Sequence, residues 1–240
     1  MVTPIEHYDA LLAEHYTWMM GDFEARMHAQ RTLLERVGIG PGDGALALDL
    51  GAGPGYQSIA LLELGYRVTA VDTSTPLIAE LKERSQGRPI DARVADMRDP
   101  QAWGGGAPRV VVCMGDTLTH LPGRADVRAL FAAVRERLVP GGTFVLTYRD
   151  LSKALEGVAR IFPVRADEHA SMICFVEYLD DVAMIHDVVT RRTPEGYVTQ
   201  KSAYPKLRLA QDEVCGWLHD AGFETVTALE GEPMVTLAAR

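Results

Sequence analysis

The 240-residue sequence predicts an α/β fold in which helices cover a mostly parallel sheet. Two observations predict this fold class. Residues 45–72 contain an apolar strand, a glycine-rich turn and a second strand in close succession. Between residues 90 and 148, further apolar runs typical of strands are separated by a helical period with a Pro-Gly-Gly stop. Strands joined through helices indicate parallel pairing, with the loops at the carboxyl ends of the strands on one edge.

The first strand and its turn indicate a binding site made by the backbone. Residues 45–50 are apolar except for Asp49, which suits a parallel strand covered on both faces. Gly51, Gly53 and Gly55 follow at every second position, and glycine permits positive φ and a close approach of a ligand. A helix predicted over residues 57–64 presents free amide groups at its start. These features predict a nucleotide-type cofactor.

The acid after the second strand supports the same interpretation. Residues 67–71 predict that strand, and Asp72 lies 21 positions after Gly51, a distance typical of a carboxylate that accepts ribose hydroxyls. The turn fits a dinucleotide fingerprint poorly, and an acid before the glycines, Asp49, would repel phosphate but suits a cation. The segment resembles motif I of class I S-adenosylmethionine-dependent methyltransferases, whose cofactor carries a sulfonium and an ammonium group.

The resemblance extends to later motifs. After a strand at residues 90–94, Asp96 and Met97 match the family positions that contact adenine. A strand at 109–114 leads into GDTLTHL, which resembles motif IV, where the loop faces the cofactor and the substrate. A helix at 125–138 precedes LVPGGTFVLTYRD, which resembles motif VI.

The resemblance covers roughly residues 40–150 and resumes near the C-terminus. It implies a Rossmann-like, seven-stranded, mostly parallel sheet with an antiparallel last hairpin, and S-adenosylmethionine as cofactor. It also implies the following cofactor-binding residues: Trp18, Gly51, Ala52, Gly53, Asp72, Thr73, Asp96, Met97, Met114, Gly115 and Asp116.

The segments outside this core predict a lid and an insertion. Residues 5–37 predict one or two amphipathic helices, which in small-molecule methyltransferases fold over the cofactor, with Tyr8, Tyr16 and Trp18 as candidates for covering the site. A helix packed on the sheet for stability is the alternative. A polar helical stretch after Asp150 is expected to lead into three antiparallel strands, which implies a sheet that closes the substrate pocket.

We expect one domain over residues 1–240. Its parts are a helical lid (1–38), a cofactor-binding core (40–150), a substrate-capping insertion (151–209) and a final helix and hairpin (210–240).

The chemistry of methyl transfer requires few catalytic residues, because the protein mainly positions the acceptor and excludes water. His120 follows the motif IV strand and is the candidate general base, although it could equally orient the loop. The candidate substrate-binding residues are Tyr8, Tyr148, Arg149, Glu177 and His186. Arg149 could bind a carboxylate or form a structural ion pair with Asp150. No metal site is assigned.

Composition narrows the function classes. With 24 Lys+Arg against 33 Asp+Glu, the net charge of −9 disfavours a nucleic-acid partner. No apolar stretch approaches membrane-spanning length, no signal peptide is recognisable, and the three cysteines match neither a disulfide framework nor a zinc site, so we expect a cytoplasmic protein without a membrane partner.

The sequence therefore predicts an enzyme that methylates an oxygen or nitrogen of a small cytoplasmic metabolite, as a monomer or homodimer. Two alternatives stay open. One is an enzyme that uses the same cofactor for another reaction. The other is a binding module that keeps the cofactor pocket and acts through a partner.

Overall fold

A computed structural model describes residues 3–240, apart from the side chain of Asp9. The strands are β1 (Leu46–Leu50), β2 (Arg67–Asp72), β3 (Ile90–Val94), β4 (Val110–Cys113), β5 (Thr143–Tyr148), β6 (Ile161–Ala166), β7 (Ala170–Tyr178), β8 (Val182–Thr193), β9 (Gly196–Leu207), β10 (Val226–Ala228) and β11 (Val235–Ala239). The α-helices are α1 (Pro4–His7), α2 (Ala13–Met20), α3 (Phe23–Arg36), α4 (Tyr56–Glu63), α5 (Thr75–Ser85), α6 (Arg124–Arg137) and α7 (Gln211–Asp220). The π-helical residues Tyr8–Leu12 join α1 to α2, and Thr117–His120 form a 3₁₀ turn after β4.

The main sheet has seven strands in the order β10-β11-β5-β4-β1-β2-β3. The pairs from β5 to β3 are parallel, whereas β11 pairs antiparallel with β5 and with β10. The predicted fold class is therefore confirmed, including the antiparallel last hairpin. Because the strand order reverses between β1 and β4, a crevice opens at the carboxyl ends of these two strands.

Helices cover both faces of this sheet, as expected of strands without a polar face. On β1, Ala47 packs with residues of α3, α4 and α5, while Leu48 and Leu50 pack with residues of α6 and α7. Every residue of β5 is buried. Because helices cover both faces of the sheet, only the carboxyl ends of the strands and the loops that follow them face the crevice.

A second, four-stranded antiparallel sheet has the order β6-β7-β8-β9. The three predicted strands of the insertion are present, but the prediction of a polar helical stretch before them is wrong. Only a short 3₁₀ turn, Gly157–Arg160, precedes β6, which is an additional edge strand with an irregular register around Pro163. Proline is tolerated at such an edge because its missing N–H breaks no ladder hydrogen bond, and it made the strand hard to recognise from sequence.

The N-terminal helical segment packs against this second sheet. Leu11 and Leu12 form a buried cluster with Met172 of β7 and Val189 of β8. Within residues 3–240, no helix has both the length and the apolar character needed to cross a membrane.

Candidate active site

The glycine turn after β1 lies at the floor of the crevice. Gly51 has φ +77°, and a Cβ built on it would lie 2.1 Å from Cγ2 of Thr117. Gly53 has φ +54°, and its Cβ would meet only Tyr16, at 3.9 Å. Gly51 is therefore required for the approach of the turn after β4, whereas Gly53 presents bare backbone to open space.

Asp72, at the end of β2, is fixed by the same turn. One carboxylate oxygen accepts a hydrogen bond from the N–H of Gly53 at 2.8 Å, and the other accepts from the N–H of Ser74 at 2.8 Å. Burial raises the pKa of this carboxyl, although these amide donors favour the charged form. Each oxygen keeps a lone pair for a further donor, which suits a ligand with vicinal hydroxyls.

A cavity of about 580 Å³ extends from this turn to the second sheet. Its walls come from the N-terminal helix, the carboxyl ends of β1 to β4, and strands β8 and β9. The predicted site residues among its lining are Tyr8, Gly51, Gly53, Asp72, Thr73, Asp96, Met97, Gly115 and His120. The volume lies within the range of about 300–1,000 Å³ typical of ligand pockets.

The far wall of the cofactor end contains Asp96 and Met97. The Asp96 carboxylate pairs with Arg98 at 2.6 Å, and this guanidinium holds the pKa of the carboxyl below its usual range. The carbonyl of Met97 accepts a hydrogen bond from the buried indole of Trp103 at 3.1 Å. These contacts hold the Asp96-Met97 turn at the edge of the cavity.

Asp116 organises the turn that carries His120. It adopts φ +80°, a left-handed conformation uncommon for a residue other than glycine. One carboxylate oxygen accepts from the N–H of Arg149 at 2.9 Å and from the Thr119 hydroxyl at 3.2 Å, and the other accepts from the ammonium of Lys206. Burial opposes ionisation of Asp116, but Lys206, His120 and the Arg149 amide outweigh it and hold the pKa below its usual range.

His120 lines the cavity at the end that faces the second sheet. Its Nε2 atom is buried and has no hydrogen-bond partner within the described residues. The rings of Tyr8 and Tyr204 lie at centroid distances of 5.7 and 5.5 Å from the imidazole, both edge-on. Burial, reinforced by Lys206, lowers the pKa of His120 to about 3, so the ring is neutral near pH 7.

The N-terminal helix covers the cavity. Tyr8 and Tyr16 line it, with ring centroids 5.9 Å apart. The helix is held on the second sheet by His7, whose Nε2 lies 3.0 Å from the carboxylate of Asp187, with both groups buried. The His7 ring also stacks on Tyr204 at 4.1 Å.

Four predicted cofactor contacts lie outside the cavity lining. Trp18 points to the second sheet instead, where its indole N–H donates to Asp167 at 2.6 Å. Ala52 is buried, with its N–H donating to the carbonyl of Val71, and Met114 packs in the core. Asp116 is buried beneath the cavity in its pair with Lys206. None of these four side chains lines the cavity as the structure describes it.

Four predicted substrate contacts also lie elsewhere. Tyr148 is fully buried among core residues between the sheet and α7. The Arg149 side chain is exposed, with its Nε 3.8 Å from Asp116. Glu177 and His186 pair with each other at 3.0 Å on the more exposed face of the second sheet. Tyr8 is thus the one predicted substrate residue that lines the cavity, together with His120, the candidate base.

Part of the lining was not predicted from the sequence. Tyr16 was expected only as a general cover, and the apolar residues of the insertion were not selected. The other lining residues that were not predicted are Thr3, Pro4, Ile5, Val71, Leu77, Ala95, Arg98, Thr117, Leu121, Pro122, Val182, Pro205 and Leu207. Nothing local marks them, because most are ordinary apolar residues, which are recognised as lining only when a cavity exists.

The lining fits the cofactor that the motifs imply. The space above Gly53 is one that a Cβ would enter, and the Asp72 carboxylate at its side keeps free lone pairs. Asp49 adds a buried carboxylate whose Oδ1 has no partner within residues 3–240, close enough to Asp72 to raise its own pKa further. The described lining holds two carboxylates, Asp72 and Asp96, against one guanidinium, that of Arg98, which is already paired with Asp96. This balance suits a cationic ligand better than a pyrophosphate. Within the described chain, no three His, Cys, Asp or Glu side chains are grouped to hold a metal ion.

Comparisons with known proteins agree with this geometry. A family model described as "Methyltransferase domain" matches residues 47–142. The chain is 34% identical over 130 residues to a ubiquinone biosynthesis O-methyltransferase of Xanthomonas campestris pv. campestris, an alignment covering 50% of this chain and 53% of the relative. It is 30% identical over 161 residues to a glycine/sarcosine N-methyltransferase of Parasynechococcus marenigrum, covering 65% and 57%. The chain thus spans about half the length of the curated relatives it matches.

A solved structure extends the likeness to the whole chain. The S-adenosylmethionine-bound amino pentose methyltransferase of Micromonospora echinaspora superposes with a TM-score of 0.73 at 19% identity, covering 97% of this chain and 96% of the other. At that identity the superposition shows a shared fold. The family-model match covers residues 47–142, which include the glycine turn, Asp72 and Asp96. Residues 47–142 therefore match a methyltransferase domain, and the fold of the chain is that of solved S-adenosylmethionine-dependent methyltransferases.

Proposed function

We propose that this chain transfers a methyl group from S-adenosylmethionine to an oxygen or nitrogen of a small metabolite in the cytoplasm. The observation that carries the proposal is that one cavity joins the glycine turn and Asp72 to His120. Two ligands that share a cavity meet without crossing solvent, as methyl transfer requires. The N-terminal helix and the second sheet close this cavity from above, which supports catalysis over simple cofactor binding.

The residues of the chain are expected to position and shield the reactants. Bound S-adenosylmethionine supplies the methyl group and its own leaving group. Gly51, Gly53 and Asp72 hold its methionine and ribose parts in this proposal, and Asp96 with Met97 holds the adenine. Tyr8 and Tyr16 keep water from the reacting end, because their rings cover the cavity.

His120 is the proposed acceptor-side residue. Its Nε2 has no partner among the described residues, so the neutral imidazole can hydrogen-bond a hydroxyl or an amine that enters the cavity. Its lowered pKa makes it a weak base before the reaction, so we expect it mainly to orient the acceptor and to receive the proton only as the acceptor becomes more acidic.

We also propose that the chain acts as a single domain, as a monomer or homodimer, and without a nucleic-acid or membrane partner. The N-terminal helix and both sheets contribute walls to the same cavity, which supports a single functional unit. The net charge of −9 argues against binding a polyanion, and three unpaired cysteines suit a reducing compartment.

Calorimetric titration tests the cofactor part of the proposal. We expect S-adenosylmethionine and its demethylated product S-adenosylhomocysteine to bind the wild type, and Asp72→Asn to weaken both by about 1.5–3 kcal/mol, the usual worth of hydrogen bonds to a charged group. Asp91→Asn is the matched control, because Asp91 is an exposed strand carboxylate that pairs with Arg93 outside the cavity lining. Absence of binding to either compound would overturn the proposal.

Incubation with methyl-labelled cofactor and a metabolite extract tests turnover. We expect label in a small product, and a loss of about 10²-fold in product formation for His120→Asn, with S-adenosylhomocysteine affinity unchanged. Cofactor binding without any labelled product would favour the binding module instead.

A further inference from the structure

The two ends of the cavity differ in chemistry. The cofactor end contains the charged residues of the lining, Asp72 and the paired Asp96 and Arg98. The lining that comes from α1, from the turn after His120 and from the second sheet is apolar, and we call it the apolar end. It consists of Pro4, Ile5, Leu121, Pro122, Val182, Pro205 and Leu207.

The charged groups at least partly buried next to this apolar end already have partners. The Lys206 ammonium pairs with Asp116, and both are largely buried. Arg124, just after Pro122, pairs with Asp181 and Glu213 at 3.0 Å each. These cations are therefore already paired, and the Arg149 guanidinium near Asp116 is exposed outside the cavity lining.

Arg208, next to Leu207, is committed to the backbone. Its guanidinium donates to four carbonyl oxygens, at 3.0, 2.6, 2.6 and 3.3 Å, which belong to Leu151, Ser152, Leu179 and Asp180. A carboxylate or phosphate that entered the apolar end would therefore lose its hydration without gaining a counter-charge, which is strongly unfavourable.

A positive charge is opposed at the same place. Burial and the neighbouring Lys206 ammonium keep the His120 ring uncharged, as the lowered pKa of about 3 indicates. An ammonium group beside His120 would meet the same burial, and the nearby Asp116 carboxylate is already committed to Lys206. What the site does offer is the buried Nε2 of His120, which has no hydrogen-bond partner within residues 3–240, with the rings of Tyr8 and Tyr204 edge-on to the imidazole.

This inference rests on the proposed function and concerns its substrate. We propose that the part of the acceptor that enters the cavity is electrically neutral: an uncharged hydroxyl or amine on an apolar body, hydrogen-bonded to His120 and enclosed by apolar walls. Free amino acids and compounds phosphorylated near the acceptor atom are excluded as substrates. Whether oxygen or nitrogen accepts the methyl group depends on which donor meets His120.

Binding of matched probes tests the inference in the protein saturated with S-adenosylhomocysteine. The probes 4-ethylphenol, 4-ethylbenzoate and 4-ethylbenzylammonium present similar apolar bodies with a neutral, a negative and a positive group. We expect the phenol to bind at least about tenfold more tightly than either ion in saturation-transfer NMR or calorimetry. Preference for an ion, or binding of none of the three, would overturn the inference.

Two lysine variants link the preference to the cavity wall. Ile5 lines the apolar end and is 42% exposed, so Ile5→Lys adds a cation there without disturbing the core. Ile173 is 45% exposed and lies outside the lining, which makes Ile173→Lys the matched control. We expect only Ile5→Lys to shift the phenol-to-benzoate preference toward benzoate, by about tenfold.

Equal shifts in both variants, or none, would contradict the assignment of this wall. The proposed function and the substrate class can be refuted independently. If the wild type does not bind S-adenosylhomocysteine, the proposed function is wrong. If it binds S-adenosylhomocysteine but prefers the charged probes, only the substrate class is wrong.

Discussion

At the scale of single residues, Asp49 shows what burial does to a carboxyl group that has no counter-charge. It is fully buried, one oxygen accepts a hydrogen bond from the Ser58 hydroxyl at 2.6 Å, and the other is unpartnered within the described residues. Burial, with a further contribution from Asp72, raises the pKa of Asp49 to about 7. Keeping an acid here costs stability, which is reasonable only if the negative charge serves a bound cation.

The predicted consequence is a stability that depends on pH. Because the folded pKa of about 7 lies above the ordinary 3.8, the folded state binds more protons between these values, and the free energy of unfolding falls as pH rises from about 4 to about 7. We expect Asp49→Asn to be nearly neutral at pH 4 and stabilising at pH 8, by up to about 4 kcal/mol.

Urea unfolding at the two pH values measures this effect in the absence of cofactor. The exposed Asp91→Asn variant serves as control, since its carboxyl has no comparable burial. A difference between Asp49→Asn and wild type that stays the same at pH 4 and pH 8 would contradict the assignment.

The site residues differ in how far sequence could predict them. Gly51, Gly53 and Asp72 were predicted from spacing, because a strand, a turn and the next parallel strand are local features. Asp116 was predicted as a cofactor contact, yet it pairs with Lys206, 90 positions away. No local pattern announces such a partner, so its role depended on the packing of the insertion.

At the scale of elements, the contact between the N-terminal helix and the second sheet depends on a buried pair. His7 of α1 and Asp187 of β8 lie 3.0 Å apart with side-chain exposures of 0% and 4%. The next residue along the helix, Tyr8, lines the cavity. The pair therefore holds Tyr8 in place over the acceptor end of the cavity.

We predict that His7→Phe destabilises the protein by about 1–3 kcal/mol, because the ring keeps its stacking on Tyr204 but leaves Asp187 buried without this hydrogen bond. S-adenosylhomocysteine affinity should change little, since His7 does not line the cavity, while acceptor binding weakens. Urea unfolding and calorimetry measure the two effects.

A double variant is the control for this pair. Combined with Asp187→Asn, which removes the unpaired charge, His7→Phe should cost less than in the wild-type background. Equal costs in both backgrounds would show that the pair does not hold the helix.

The alternation of side chains between the two faces of the insertion strands was predictable from sequence, but which face would be covered was not. Residues 175 and 177 share a face, as the period of two requires, and His186 joins them from β8. Periodicity cannot tell which face of a sheet will be covered, and here it is the opposite face, with Cys174 and Asp187, that meets the N-terminal helix region.

At the scale of the whole molecule, the two sheets are connected by the ion pair between Lys206 of β9 and Asp116 of the turn after β4. Both side chains are largely buried, at 11% and 7% exposure. Removing one partner of a buried pair leaves an uncompensated charge, which is more costly than removing both. The pair thus makes the position of His120 dependent on correct docking of the insertion.

We predict that Lys206→Met lowers the free energy of unfolding by about 3–5 kcal/mol, and that adding Asp116→Asn restores part of this loss. Urea unfolding of the single and double variants gives the comparison. If the double variant is as unstable as the sum of the two single variants, the proposed coupling between the sheets is wrong.

The sequence by itself predicted the parallel strands and the glycine turn with Asp72, because these depend on periodicity and spacing within a few tens of residues. Its family resemblance implied the seven-stranded sheet and the cofactor. Only the tertiary structure decided which side chains meet at the acceptor end. The edge strand β6, the pairing of Lys206 with Asp116 and the apolar walls around His120 all join distant segments. Their positions follow from how the N-terminal helix and the insertion dock on the core. Because burying a charge without a partner is costly, this docking also decides which groups can be ionised there.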